Sequence, residues 1–244
     1  MEIIAHRGNK RYTPENTMAS FYSAMTYPID GIELDVQFTK DGIPVVIHDD
    51  KIDRTTNGRG YVRSFSFQEI RQFDAGTWFH ERFRGEKIPS LKEVFQWASD
   101  KQVSLHVELK KQKRNSTEYL TQCLKLITNL HLEDRVIIST FYFPYLKFFK
   151  ERQPKIETAL ITKNPILRSY HYLNHIGADA IHIRNTYHAT QFYKYWSMKG
   201  IPVRPYNVHK IKDALKCQRL DVQGIITNDP KQMADIFRSE CKTS

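Results

Sequence analysis

Eight short apolar runs, each trailed by a stretch of helical periodicity, restrict the fold of this chain more than any other feature. The runs lie at 3–6, 31–37, 103–109, 135–139, 156–161, 179–183, 201–206 and 222–226. Each is short enough for a strand and rich in Val, Ile and Leu. Helices are expected over 15–27, 90–100, 116–130, 143–152, 165–175, 188–199, 210–219 and 230–239. Ser90 and Glu93 have the spacing of a capping box. Tyr119, Leu120, Cys123, Leu124 and Ile127 share one face. Alternating strands and helices imply a parallel sheet with crossovers. Eight such units close naturally into a (β/α)8 TIM barrel, and 244 residues is a usual barrel length. An open doubly wound sheet is the alternative, although no GxGxxG follows the first strand. No linker or repeat divides the chain, so residues 1–244 are expected to form a single domain. One segment breaks the alternation. Lys40-Asp41-Gly42 reads as a hairpin turn, and 44–89 as a small, largely irregular insertion after the second strand.

The strands carry an unusual polar pattern. Glu33 and Asp35 alternate with Ile32, Leu34 and Val36, so both carboxylates point to one face. His106, Glu108 and Lys110 alternate with Leu105, Val107 and Leu109, as His182 and Arg184 do with Ile181 and Ile183. In a barrel the outward face packs on helices, so the polar set must face the lumen. Charges there need partners. Glu33, Asp35 and Glu108 are three oxygen donors suited to a hard divalent cation such as Ca2+ or Mg2+. Separate ion pairs with Lys and Arg are the alternative. His6 and His48 end apolar runs, where barrel chemistry is sited, and two histidines can form an acid/base pair. Arg7 and Lys110 are candidates to hold a phosphate.

Bulk composition agrees without choosing among these readings. There are 37 Lys and Arg against 27 Asp and Glu, a formal net charge of +10, which favours anionic partners. Cys123, Cys217 and Cys241 show no zinc-type spacing, and a reducing, cytoplasmic location is expected. The N-terminus lacks a signal-peptide core, and no apolar run is long enough to span a membrane.

Several blocks in one order resemble the glycerophosphodiester phosphodiesterase family. They are His6-Arg7-Gly8, Pro14-Glu15-Asn16-Thr17, Glu33-Leu34-Asp35-Val36, Thr39-Lys40-Asp41-Gly42, His48-Asp49 and Arg54-Thr55-Thr56. Val107 to Lys110 resembles the family's Glu-x-Lys element, and 224–230 its closing strand and turn. The resemblance implies a TIM barrel that hydrolyses glycerophosphocholine, glycerophosphoethanolamine and similar small-molecule diesters to glycerol 3-phosphate and an alcohol. It implies His6 and His48 as the catalytic pair, and Glu33, Asp35 and Glu108 as ligands of a divalent metal. It places Arg7 and Lys110 near the phosphate. Tyr206 stands where the family often has a tryptophan walling the glycerol, and His209 replaces an asparagine. Two other readings follow from the residues. The aromatics Phe141, Tyr142, Phe143, Tyr145, Phe148 and Phe149 would give a lysophospholipase D-like enzyme an acyl approach, or else they form the buried face of a helix. The net positive charge would suit a nucleic-acid-binding protein, but the basic residues are scattered and no nucleic-acid partner is expected.

Overall fold

In the computed structural model, which describes residues 1–112, 116–166 and 169–238, the first strand has two parallel neighbours, and that closes the sheet. β1 (Glu2–His6) pairs with β2 (Gly31–Phe38) on one side and with β9 (Gly224–Thr227) on the other. The circuit continues from β2 through β4 (Ser104–Leu109), β5 (Val136–Thr140), β6 (Glu157–Thr162), β7 (Ala180–Arg184) and β8 (Val203–Tyr206) to β9. The fold is therefore a closed parallel (β/α)8 barrel and not an open sheet. β3 (Pro44–Val46) lies outside the circuit, antiparallel to the end of β2. The hairpin between them turns at Gly42, whose φ of +80° suits a residue without Cβ.

The outer ring is α1 (Met18–Ala24), α3 (Leu91–Ala98), α4 (Ser116–Asn129), α5 (Pro144–Arg152), α6 (Ser169–Ile176), α7 (Tyr187–Met198), α8 (Ile211–Arg219) and α9 (Pro230–Phe237); a one-turn α2 (Phe67–Ile70) lies outside it. The Ser90–Glu93 capping box is present at α3. Ile32, Leu34, Val36, Leu105 and Val107 face outward into one cluster with Phe21, Val94, Phe95 and Ile127 of the helices. Each such burial stabilises the fold by about 1.5–3 kcal/mol. Facing inward on the same strands are Glu33, Asp35 and His106, all buried. Low in the barrel, the His106 and His182 rings lie 5.4 Å apart. Burial, reinforced by the Arg204 charge, holds both well below the usual histidine range, so they are neutral. Arg204 is itself paired with Glu2 at 2.7 Å and Glu157 at 2.5 Å.

Several elements are shorter than their sequence patterns suggest, α1 and β8 among them. α1 spans Met18–Ala24 rather than 15–27, because Thr17 caps it and Asn16 adopts φ +57°. The backbone before the cap is committed to the site described below. β8 starts at Val203 rather than 201. Residue 239 of the last expected helix, residues 167–168 of the sixth and Cys241 lie outside the described residues. Between β3 and α3 the chain is mostly turns, and its apolar residues Ile52, Val62, Ile70, Ala75 and Ile88 form a small cluster with Val45 and Ile47. That cluster anchors the segment carrying His48, Asp49 and Arg54 beside the barrel mouth.

Candidate active site

β1 ends at His6, and the chain then makes a left-handed turn at Arg7, φ +59°. This is an uncommon conformation for a residue with a side chain. Bonding of the turn to β2 holds it: the Arg7 N–H donates to the Glu33 backbone oxygen at 2.9 Å and to Glu33 Oε2 at 3.0 Å. The guanidinium is thereby laid over β2, with Nε 3.0 Å from Asp35 and Nη1 2.7 Å from Glu15. Asn16 approaches from the α1 side and donates to Asp35 Oδ2 at 2.9 Å.

Parallel register places Asp35 beside Glu108 of β4. Glu33, Asp35 and Glu108 each present an oxygen, and these atoms all lie within 4.8 Å of one another. Burial and the neighbouring Asp35 and Glu108 charges push Glu33 well above the usual carboxylate range. Burial and Asp35 likewise raise Glu108. Asp35 is also penalised by burial, but Lys110 and Arg7 more than offset this and hold it well below its ordinary range. The set is thus a crowded group of hard oxygen donors whose repulsion is only partly neutralised, and it fits a divalent cation. Lys110 Nζ contacts Asp35 at 2.7 Å and also Glu108. Arg7 and Lys110 thus have acids as their direct partners, while both also line the pocket above.

That pocket, about 310 Å3, opens at the C-terminal end of the strands and is lined by His6, Arg7, Glu33, His48, Glu108, Lys110 and Tyr206, among others. Asp35 is fully buried beneath it. Seven of the eight residues singled out from sequence therefore share one cavity, and the eighth supports its floor. His6 Nδ1 lies 2.6 Å from Asn228 Oδ1, an acceptor, so Nδ1 carries the proton and Nε2 keeps its lone pair. Burial, with the Arg7 and Lys10 charges, lowers His6 to about 3. His48 Nδ1 lies 2.6 Å from Asp49 Oδ1. Burial lowers His48 too, against the opposing pull of the Asp35 charge. Asp49 is gripped by Arg54 Nε at 2.7 Å, and Arg54 reaches Glu15 at 2.7 Å. A chain of alternating charges thus links His48 through Asp49, Arg54, Glu15 and Arg7 to Asp35.

Asn228 falls within the 224–230 block of the sequence but is assigned no role there. Glu15, Asn16, Asp49 and Arg54 likewise fall within motifs without an assigned role. Glu15 and Asn16 had a legible signal, two polar residues just before a helix cap. Tyr206 lines the pocket, but its hydroxyl donates to the Thr162 carbonyl at 3.3 Å. The aromatic cluster divides. Tyr145, Phe148 and Phe149 are core residues, whereas Phe143 is exposed and Phe141 is exposed and lines the pocket.

The sequence profile of the glycerophosphoryl diester phosphodiesterase family matches residues 6–232. The chain belongs to this family. Membership makes it a phosphoric diester hydrolase, a glycerophosphodiester phosphodiesterase, with a small-molecule substrate. It is 37% identical to a glycerophosphodiester phosphodiesterase of Caldanaerobacter subterraneus, over 97% of each chain. A glycerophosphodiester phosphodiesterase of Bacillus altitudinis is 34% identical over 99% of each. Among solved structures, an Oleispira antarctica phosphodiesterase in complex with the product sn-glycerol 3-phosphate superposes with a TM-score of 0.90 at 28% identity, covering 96% of each chain. Among the described residues, no helix of this family member is long and apolar enough to cross a membrane.

Proposed function

We propose that this enzyme hydrolyses glycerophosphodiesters such as glycerophosphocholine or glycerophosphoethanolamine to sn-glycerol 3-phosphate and the free alcohol, using His6 and His48 as its acid/base pair. The observation that carries this reading is two imidazoles, each anchored through Nδ1, in the one pocket that also holds the carboxylate cluster. Glu33, Asp35 and Glu108 would hold a divalent cation, Ca2+ or Mg2+. When bound, such an ion supplies Lewis-acid stabilisation of charge on the phosphate oxygens. Arg7 and Lys110 orient the phosphate and add fixed positive charge beside it.

His6, kept neutral by burial, accepts the proton of the nucleophile at Nε2. His48, its ring fixed by the Nδ1 contact with Asp49, gives its proton to the leaving alcohol oxygen. The Asp49–Arg54–Glu15 chain fixes the His48 ring without displacing the phosphate site. A reducing, cytoplasmic setting belongs to the same reading, with Cys123 and Cys217 both free and buried.

The test is kinetic. His6→Ala and His48→Ala should each lower kcat by about 10²–10⁴ on glycerophosphoethanolamine. The double variant should lose much less than the product of the two. On a glycerophosphodiester of p-nitrophenol, whose leaving group needs no proton, the His48 variant should recover most of its rate and the His6 variant should not. Near-normal turnover by both single variants on glycerophosphoethanolamine would overturn the proposal.

A further inference from the structure

The barrel mouth is electrostatically lopsided. Every acid of the site, namely Glu15, Glu33, Asp35, Asp49 and Glu108, comes from the first half of the chain. The segment from Glu157 to Tyr206, which spans β6 through β8, contains two acidic residues, Glu157 and Asp179, against six Lys and Arg, and Glu157 opens β6 paired with Arg204. Asp179 precedes β7, at the far end of the barrel, and is held there by Lys150 at 2.7 Å.

Two of those cations stand at the mouth. Lys163 follows β6, is exposed and lines the active-site pocket. Its loop is set by Thr162, whose carbonyl accepts the Tyr206 hydroxyl and whose side chain donates to the Asn164 carbonyl at 2.8 Å. Arg184 ends β7, exposed, as the register partner of Tyr206. It lies two residues beyond His182, and both Tyr206 and His182 line the pocket. Strand alternation therefore puts Arg184 on the pocket face. Among the described residues neither Lys163 nor Arg184 has an ion-pair partner, in contrast to Arg7 and Lys110 on the opposite wall.

We infer that Lys163 and Arg184 form a second anion subsite, which selects phosphodiester substrates carrying an additional phosphate beyond the scissile one. The inference rests on the proposed hydrolysis, since it assigns a specificity to that same pocket. Two exposed cations at a concave, acid-poor wall attract a dianion more strongly than either does alone, and screening by salt should weaken that attraction. The extra phosphate can be carried by the retained glycerol or by the leaving alcohol.

Glycerophosphoglycerol serves as the reference substrate, compared with the same diester bearing one further terminal phosphate on either the retained or the leaving glycerol. Wild-type enzyme should prefer at least one phosphorylated form by about tenfold in kcat/KM, mainly through KM, the equivalent of one partly screened charge contact. A preference for only one form identifies which end reaches the wall. Lys163→Met and Arg184→Met should each erode the preference, Lys163→Arg should keep it, and raised ionic strength should shrink it. Equal kcat/KM for all three diesters in the wild type, or a preference unchanged in both methionine variants, would overturn the inference. Failure to hydrolyse the unphosphorylated reference at all would instead count against the proposed function on which it rests.

Discussion

His6 donates its Nδ1 proton to Asn228 Oδ1 across 2.6 Å, joining two residues 222 positions apart in the chain. The contact crosses the β1–β9 seam, so barrel closure itself sets the tautomer of a proposed catalytic base. Asn228→Ala should lower kcat by about tenfold, the size of one lost hydrogen bond of roughly 1–1.5 kcal/mol, with little change in KM. Asn228→Asp should act differently. A carboxylate there favours the imidazolium and raises the His6 pKa from about 3. Base function is lost as pH falls through that pKa, so the acidic limb of the kcat profile should move to higher pH. An unmoved limb would separate His6 from the base role.

Chelation should abolish turnover, because the proposed cation balances three mutually repelling carboxylates. Glu108→Gln removes one charged donor from β4 and should weaken the apparent affinity for Ca2+ or Mg2+ by at least tenfold while the far-ultraviolet circular dichroism stays native. Metal titrations of activity and of thermal stability would both report it. Full activity after exhaustive EDTA treatment would refute the metal assignment.

Glu15 makes stability as well as the site depend on pH. Burial opposes its ionisation, but Arg54 and Arg7 outweigh this and lower it from 4.5 to about 2. A folded pKa below the unfolded one contributes stability that is present above about 4.5 and lost as pH falls toward 2. The contribution is at most roughly 3 kcal/mol. Glu15→Gln should therefore be less stable than wild type at pH 7, and the gap should close between pH 4.5 and 2. Denaturant unfolding across that range would show parallel curves if Glu15 were not the linked group.

Tyr206 separates two roles within one side chain. Tyr206→Phe removes the hydroxyl bond to Thr162 and should change kcat/KM less than fivefold, because the ring still walls the pocket. Tyr206→Ala should raise KM by about tenfold or more through lost apolar contact of roughly 1.5 kcal/mol or more. Equal behaviour of the two variants would reduce Tyr206 to a support for the β6 loop.

Much of this was legible along the chain. A strand's period of two is local, so the alternation of Glu33 and Asp35 with Ile32, Leu34 and Val36 sufficed to say which residues share a face. Eight such units favoured a barrel over an open sheet, the pairing of β1 with β9 closed it, and closure placed the polar face inward. Even the insertion carrying His48 announced itself by breaking the alternation after Gly42. What periodicity cannot specify is a partner on another element. The His6–Asn228 bond depends on β9 closing against β1. The Glu15–Arg54 bond depends on the segment after β3 folding back over the mouth. The left-handed turns at Arg7 and Asn16, which aim both side chains at Asp35, are held by contacts with β2 that no local propensity favours. Sequence by itself pointed to the barrel and to the polar residues that meet at its mouth, because both follow from short-range spacing. Tertiary structure alone decided which charge meets which, because that depends on distances set only when the barrel closes.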